Sequence, residues 1–174
     1  MIRHLFKVAK IPFITLKAKK SFGQHFLNRE DIAHRIADSL RLTGQYRQVL
    51  EVGPGRGMLT QYLLEQDYRL WVVEADRDMV TYLQKHYPEL SEYIIEGDFL
   101  KVRFGDFLGD QPFGLIGNFP YNISSQIVFR MLDYRHQIPE MVGMFQKEMA
   151  ERIVAVPGSK TYGAISVLTQ AYYE

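Results

Sequence analysis

The chain has 174 residues, of which 47% are hydrophobic and 24% charged, and its formal net charge is +1. This length supports one domain with a buried core, and the composition is ordinary for a soluble globular protein. The absence of cysteine excludes disulfide bonds and thiolate metal ligands, and no apolar run approaches the roughly 18 residues of a membrane span. We therefore expect no metal site, no membrane association and a cytoplasmic location.

The charge is unevenly distributed along the chain. Residues 1–29 carry seven Lys and Arg residues and no acid, so the remaining 145 residues hold 14 basic and 20 acidic residues. A basic segment on a mildly acidic body is suited to contact with a polyanion such as a nucleic acid, although a solvated tail would show the same charges. We expect residues 1–18 to form a basic extension and residues 19–174 to form one catalytic domain.

The predicted elements alternate between helices and strands. A first helix is predicted from Asn28, as its N-cap, to about residue 41. Short apolar strands are predicted at residues 48–52, 70–74, 93–96, 113–117 and 140–146, and helices around residues 59–63, 75–83, 127–132 and 147–155. Strands that are continuous apolar runs are typical of a parallel sheet buried on both faces. The predicted fold class is therefore α/β, Rossmann-like, with a mostly parallel sheet and helices on both faces.

Ligand-binding residue types follow three of these strands, at the edge where open α/β sheets bind ligands. Glycines 53, 55 and 57 in "GPGRG" allow the backbone to approach a ligand, and the next helix directs its free N–H groups there. Glu74, 21 residues past Gly53, is placed to accept hydrogen bonds from both hydroxyls of a ribose. Asp98 is placed to accept the exocyclic amine of an adenine. These positions predict a pocket for an adenosine with a small polar tail.

The glycine loop distinguishes between two cofactor classes. A nicotinamide dinucleotide fingerprint reads G-x-G-x-x-G, but Met58 occupies the position of its third glycine. The loop here is G-x-G-x-G and is preceded by the acid Glu51. This form favours S-adenosylmethionine over NAD, although a glycine loop alone would also fit a plain tight turn.

The fourth predicted strand ends in Asn118-Phe119-Pro120-Tyr121. An exocyclic amine attacks a methyl donor when two oxygen acceptors hold its N–H bonds and aim its lone pair. The Asn118 side-chain oxygen and a backbone carbonyl near Pro120 are suited to this, because proline fixes φ beforehand. Tyr121 offers a flat face for a base that has left its stack. The tetrapeptide predicts methylation of a base amine, and the alternative is a strand that merely ends in a proline turn.

Longer segments follow one another in an order typical of one family. They are "KKSFGQHFLN", "VLEVGPGRGMLT", "VVEADRDM", "EGDFL", "IGNFPYNISSQIVFR", "FQKEMAERIVA" and "SKTYGAISVLTQAYYE". In these segments the chain, from about residue 19 to its last residue, resembles the ribosomal RNA small-subunit adenine dimethyltransferase family (the KsgA group). The resemblance implies a Rossmann-like, S-adenosylmethionine-dependent methyltransferase fold.

The resemblance also implies a substrate and a set of site residues. Members of this family dimethylate the exocyclic amines of two adjacent adenines near the 3′ end of 16S rRNA in the immature 30S subunit, and they take part in small-subunit biogenesis. The implied catalytic residues are Asn118, Pro120 and Tyr121. The residues implied to contact the cofactor are His25, Leu27, Gly53, Glu74, Asp98 and Asn118. We expect the protein to act as a monomer without a metal.

The sequence departs from the family pattern at three points. His25 replaces a common asparagine, and Phe119 replaces a common leucine that is expected to pack inward. The resemblance also implies a small C-terminal helical domain that helps to bind ribosomal RNA, and we expect this domain to be absent from these 174 residues. Two other functions stay open, namely a resistance-type methyltransferase for large-subunit rRNA and a non-catalytic module for ribosome assembly.

Overall fold

The computed structural model describes residues 27–174 in full and residues 5–8 as backbone. At its centre lies a parallel sheet of six strands in the order β1-β6-β5-β2-β3-β4. The strands are β1 (Leu5–Val8), β2 (Gln48–Val52), β3 (Arg69–Glu74), β4 (Ile94–Glu96), β5 (Gly114–Asn118) and β6 (Glu140–Met144). The five predicted strands are confirmed, with bounds that differ by at most two residues.

The order in which successive strands are added to the sheet reverses at β2, which pairs with β3 on one side and with β5 on the other. A doubly wound sheet opens a crevice at such a switch point, outside the carboxyl ends of the strands. The glycine loop follows β2 and the tetrapeptide begins at the last residue of β5. The topology therefore brings these two motifs to the same crevice.

Strand β1 lies inside the predicted basic extension, where the sequence analysis predicts no strand. Its four residues pair in parallel with the outer side of β6, from Leu5 opposite Glu140 to Val8 opposite Gly143. The division of the chain at residue 18 stays a prediction, but this short part of the segment is an edge strand of the main sheet.

Helices cover both faces of the sheet. They are α1 (Glu30–Ala37), α2 (Thr60–Leu63), α3 (Arg77–His86), α4 (Ser124–Asp133), α5 (Lys147–Ile153) and α6 (Ala164–Tyr172). Buried side chains alternate along the strands, so that Leu50 and Leu115 pack with residues of α4, α5 and α6, whereas Val49 and Ile116 pack with residues of α1 and α2. The predicted fold class is confirmed. None of the helices in the described part of the chain is both long and apolar enough to span a membrane.

The start of α1 differs from the prediction. Arg29, not Asn28, is the N-cap residue, with an extended backbone (φ −115°, ψ 107°) and no side-chain cap. The Arg29 guanidinium instead bonds to Asp31 in the first turn, at 2.9 Å from Nε to Oδ1. The helix ends at Ala37 rather than near residue 41. The helix predicted around residues 75–83 is observed as α3 (Arg77–His86), and its N-cap residue Asp76 accepts the Asp78 N–H with its side chain at 3.0 Å.

Helix α6 was not predicted. It buries Ile165, Ser166 and Thr169 while Val167 and Leu168 are exposed, so its apolar residues do not mark its buried face. The Ser166 hydroxyl donates to the Arg152 carbonyl at 2.6 Å, at the end of α5. Polar contacts therefore fix much of this packing, and they leave no hydrophobic periodicity in the sequence.

Candidate active site

A cavity of about 900 Å³ opens at the carboxyl ends of β2, β3, β4 and β5. Its lining includes Leu27, Gly53, Glu74, Asp98, Asn118 and Pro120. These are all the predicted cofactor residues in the described part of the chain, together with one further predicted catalytic residue. His25 lies outside the described residues, and Tyr121 does not line the cavity. Tertiary structure thus gathers residues from four strand ends and from the segment before α1.

The glycine loop has the backbone that its sequence requires. Gly53, Gly55 and Gly57 have φ values of +65°, +57° and +80°, which residues with a side chain rarely adopt. A Cβ at Gly57 would also collide with the Tyr87 ring, whose hydroxyl donates to the Gly57 carbonyl at 3.1 Å. A Cβ on Gly53 would lie 3.8 Å from Pro120 Cγ, so the loops after β2 and β5 are close neighbours.

Glu74 is buried at the end of β3, and its carboxylate links the glycine loop to the start of α3. Its Oε2 accepts the N–H of Gly55 at 3.1 Å, and its Oε1 accepts the N–H of Asp76 at 2.9 Å. Burial raises the pKa of Glu74, and the backbone donors oppose this shift. Each carboxylate oxygen has a further lone pair, so both can accept a second donor from a ligand.

Glu51 is a second buried carboxyl group on the cavity wall. Only 1% of the residue is exposed, and its Oε2 is bonded to the Thr60 hydroxyl at 2.7 Å. Burial raises the pKa of Glu51 to about 8, with a smaller contribution from the charge of Glu74. The sequence analysis identified Glu51 only as the acid before the loop, whereas the structure places it in the wall of the cavity.

Asp98 lies in a tight turn directly after β4. Its Oδ1 accepts the N–H of Leu100 at 2.9 Å, and its Oδ2 lies 3.5 Å from the ammonium group of exposed Lys101. The side chain is partly exposed and lines the cavity. A ligand amine can therefore reach the carboxylate without unfolding the turn.

Phe119 fixes the tetrapeptide in place. The predicted inward packing of its side chain is confirmed, because only 1% of the residue is exposed and its ring lies 4.8 Å from that of Phe145. A Cβ on Gly117 or Gly143 would collide with this ring or with neighbouring backbone. Two glycines in adjacent strands therefore make room for Phe119, and this anchors Asn118 and Pro120 at the cavity.

The carbonyl of Pro120 already has intramolecular partners. The Ser124 hydroxyl donates to it at 2.9 Å and the Ile123 N–H at 3.3 Å. Tyr121 begins the 3₁₀ turn Tyr121–Ile123, and its half-buried hydroxyl has a pKa raised by burial. These bonds hold the turn in shape and occupy the carbonyl of Pro120, whereas within the described residues they leave the preceding carbonyl, that of Phe119, unengaged.

Sequence reasoning missed several residues of the cavity wall. The largest are Tyr82 in the middle of α3, Tyr87 just after its end, and Phe99, next to Asp98. No motif marks the two tyrosines, which reach the cavity through the placement of a helix, and Phe99 lies in the segment "EGDFL" without being singled out there. Within residues 27–174, no group of three or more His, Asp or Glu residues is arranged to hold a metal ion.

Comparisons with known proteins agree with this geometry. A family model described as ribosomal RNA adenine dimethylase matches residues 15–174. The ribosomal RNA small subunit methyltransferase A of Cytophaga hutchinsonii is 56% identical over 160 residues, which are 91% of this chain and 62% of that protein. The chain spans about 60% of the length of the curated relatives it matches.

Two solved structures share both fold and sequence similarity with the chain. A dimethyladenosine transferase from Plasmodium falciparum is 29% identical, with a TM-score of 0.68 over 83% of this chain and 51% of that one. The 23S rRNA methyltransferase ErmE is 28% identical, with a TM-score of 0.60 over 83% and 55% of the two chains. The resemblance seen in the sequence is thus confirmed, and the chain belongs to the ribosomal RNA adenine dimethylase family.

Proposed function

We propose that the protein dimethylates the exocyclic amines of two adjacent adenines near the 3′ end of 16S rRNA, with S-adenosylmethionine as the methyl donor. Its substrate is the immature 30S subunit, and it acts as a monomer in the cytoplasm during small-subunit biogenesis. The observation that carries this proposal is a single cavity that joins the glycine loop, Glu74 and Asp98 to the acceptor motif at Asn118. Family membership and the names of the relatives at 51–57% identity support the choice of the small subunit.

The residues of the cavity fit an adenosyl cofactor. Glu74 has lone pairs for the ribose hydroxyls, Asp98 presents a carboxylate to the adenine amine, and the backbone at Gly53 leaves space for the tail of the ligand. Leu27 adds an apolar contact at the entrance. When bound, S-adenosylmethionine supplies an activated methyl group on a sulfonium ion.

Asn118 and the carbonyl of Phe119 are the proposed acceptors for the two N–H bonds of the target amine. The Pro120 carbonyl is engaged by Ser124 and Ile123, whereas no hydrogen bond of the described residues engages the carbonyl of Phe119. The Oδ1 atom of Asn118 is shielded from solvent, so the side chain must rotate when adenine enters. With adenine in place, the two acceptors aim the lone pair of the nitrogen, and this electrostatic stabilisation lowers the barrier without a strong base.

Tyr121 is the proposed stacking surface for the target base. Burial raises the pKa of its hydroxyl, so the ring is uncharged at neutral pH. An adenine must leave its stack to enter the pocket, and an aromatic face offsets part of the lost stacking energy. The amine proton passes to solvent after the methyl group has been transferred.

The proposal is tested by methyl transfer from radiolabelled S-adenosylmethionine to unmethylated small subunits. The proteins compared are this chain and a version lengthened to the span of its relatives, each also as Asn118→Ala. We expect the lengthened protein to label two adjacent adenines, and Asn118→Ala to lower the rate by about 100-fold or more. The control is Gln111→Ala, which removes an exposed carboxamide outside the cavity and should leave most of the activity.

Three results would contradict the proposal. Label on large-subunit RNA would favour the resistance-type methyltransferase. Cofactor binding without any transfer by the lengthened protein would favour a non-catalytic assembly module. Full activity of Asn118→Ala would remove the acceptor role of this residue.

A further inference from the structure

Arg130 of α4 reaches across to the turn that follows β4. Its Nη1 donates to the carbonyl of Leu100 at 2.7 Å, and its Nη2 donates to the carbonyl of Val102. The side chain is half-buried, and in the described part of the chain it forms no ion pair with a carboxylate. The guanidinium is therefore held by backbone dipoles rather than by a counter-charge.

Aromatic rings surround the same guanidinium. Its carbon lies 4.7 Å from the ring centre of Phe104, 5.3 Å from that of Tyr134 and 5.7 Å from that of Phe99. Such cation–π contacts favour a planar, weakly hydrated cation. The Phe99 ring also lines the cavity, so Arg130 supports one part of the cavity wall from behind.

The two carbonyls that Arg130 holds belong to the turn of Asp98. The N–H of Leu100 donates to Asp98 Oδ1 at 2.9 Å, and the N–H of Val102 donates to the Asp98 carbonyl at 3.0 Å. Each of these two residues thus donates to Asp98 through its N–H group and accepts from Arg130 through its carbonyl. The side chain of Arg130 fixes the turn on which the orientation of the Asp98 carboxylate depends.

We propose that Arg130 is a positioning residue for adenine recognition, which holds the Asp98 turn and the Phe99 ring in the geometry that selects an adenosyl ligand. The inference deepens the proposed function and rests on its assignment of adenine to Asp98. Because α4 begins directly after the Asn118–Tyr121 segment, Arg130 also connects the cofactor side of the cavity to the acceptor side.

Lysine is the informative substitution at this position. It keeps the positive charge, but its ammonium group cannot act as a planar fork to two carbonyls and stack on a ring at the same time. The matched control is Arg135→Lys. Arg135 also donates to a carbonyl, that of Leu132 at 3.1 Å, and lies 4.7 Å from the ring of Tyr172, but it does not contact the Asp98 turn.

The test is isothermal titration calorimetry of the 174-residue chain with S-adenosylhomocysteine and S-inosylhomocysteine. The second ligand carries a carbonyl in place of the adenine amine, so the ratio of the two dissociation constants reports recognition at Asp98. We expect Arg130→Lys to weaken S-adenosylhomocysteine about tenfold and S-inosylhomocysteine much less. Arg135→Lys should leave the ratio at the wild-type value.

The outcomes separate the two proposals. A wild type that prefers the adenosyl ligand, together with an unchanged ratio in folded Arg130→Lys, overturns the inference alone. A wild type that binds neither ligand overturns the cofactor assignment and the inference together, and one that binds both equally overturns the assignment of the adenine amine to Asp98 and the inference with it. If Arg130→Lys does not fold, Tyr134→Leu is measured instead, because it removes one ring from the Arg130 guanidinium and keeps the two Arg130 hydrogen bonds. A reduced preference for S-adenosylhomocysteine over S-inosylhomocysteine supports the inference, and an unchanged preference overturns it.

Discussion

Buried glutamates lie near the amino ends and near the carboxyl ends of the strands, which are called here the amino edge and the carboxyl edge of the sheet. They differ in the number of hydrogen-bond donors around their carboxyl oxygens. At the amino edge, Glu140 accepts the N–H groups of Arg41 and Leu42 at 2.6 and 2.8 Å and the hydroxyl of Tyr46 at 2.8 Å. At the carboxyl edge, Glu51 is equally buried, but within the described residues only the Thr60 hydroxyl bonds to its carboxyl group, at 2.7 Å. The first acid is surrounded by protein donors, whereas the second lines a cavity.

The comparison of the two acids shows how the number of protein donors limits what a buried carboxyl group can bind. A buried carboxylate with three donors ties loops together and has little capacity left for a ligand. A buried carboxyl group with few donors has an unfavourable charge that a cationic or hydrogen-bonding ligand can relieve. Burial alone therefore does not distinguish the two acids, whereas the number of protein donors around each carboxyl group does.

The largest expected effect is on stability at the amino edge. Glu140→Gln places an amide NH₂ against N–H and O–H donors, so we expect the free energy of unfolding to fall by about 3 kcal/mol. Tyr46→Phe removes one of the three donors and should cost about 1 kcal/mol. Urea denaturation measures both changes. A loss of cofactor affinity in folded Glu140→Gln would show that the two edges are not independent.

The second prediction concerns pH and the carboxyl edge. The pKa of Glu51 is raised from 4.5 to about 8 in the folded state, so its contribution to stability is complete below pH 4.5 and is lost as the pH rises through about 8. Glu51→Gln mimics the protonated form. We expect the wild type to lose about 2 kcal/mol relative to this variant between pH 5 and pH 6.5, as the first part of this loss. Parallel stability curves from urea denaturation at each pH would contradict the assignment.

The smallest expected effect is on ligand affinity at Glu74. Glu74→Gln replaces one acceptor oxygen by an NH₂ group next to the Gly55 and Asp76 amides, so we expect the affinity for S-adenosylhomocysteine to fall about tenfold. Calorimetric titration measures the change. The control is Glu96→Gln, at the exposed residue paired with Glu74 on β4. Equal losses in the two variants would show a general effect of charge rather than a contact with the ribose.

Much of the fold could be predicted because its signals are local. β2, β5 and β6 are short apolar runs buried on both faces, whereas β4 is partly buried, and the carboxyl ends of parallel strands meet at one edge wherever the strands fall in the order of the sheet. The glycine loop, Glu74, Asp98 and Asn118 could therefore be assigned to one site without knowledge of any contact. Their roles toward ligands stay predictions.

The features that were missed depend on long-range contacts or on atypical patterns. Tyr46 and Glu140 are 94 residues apart in the chain, and Arg130 lies 30 residues from Leu100. Helix α6 buries Ser166 and Thr169 and exposes Val167, so hydrophobic periodicity does not predict this helix. The prediction of Asn28 as the N-cap of α1 was wrong, because Arg29 adopts the backbone conformation of the N-cap and its side chain bonds to Asp31.

Five of the six strands, the parallel α/β class and the edge of the sheet where the cavity lies follow from the sequence alone, because period, turn chemistry and strand direction are properties of neighbouring residues. Only the tertiary structure decided which buried acids are satisfied by protein donors, which aromatic rings line the cavity and which side chain holds the Asp98 turn. These properties depend on the distances between elements that are far apart in the chain, and such distances are fixed only when the helices pack on the sheet.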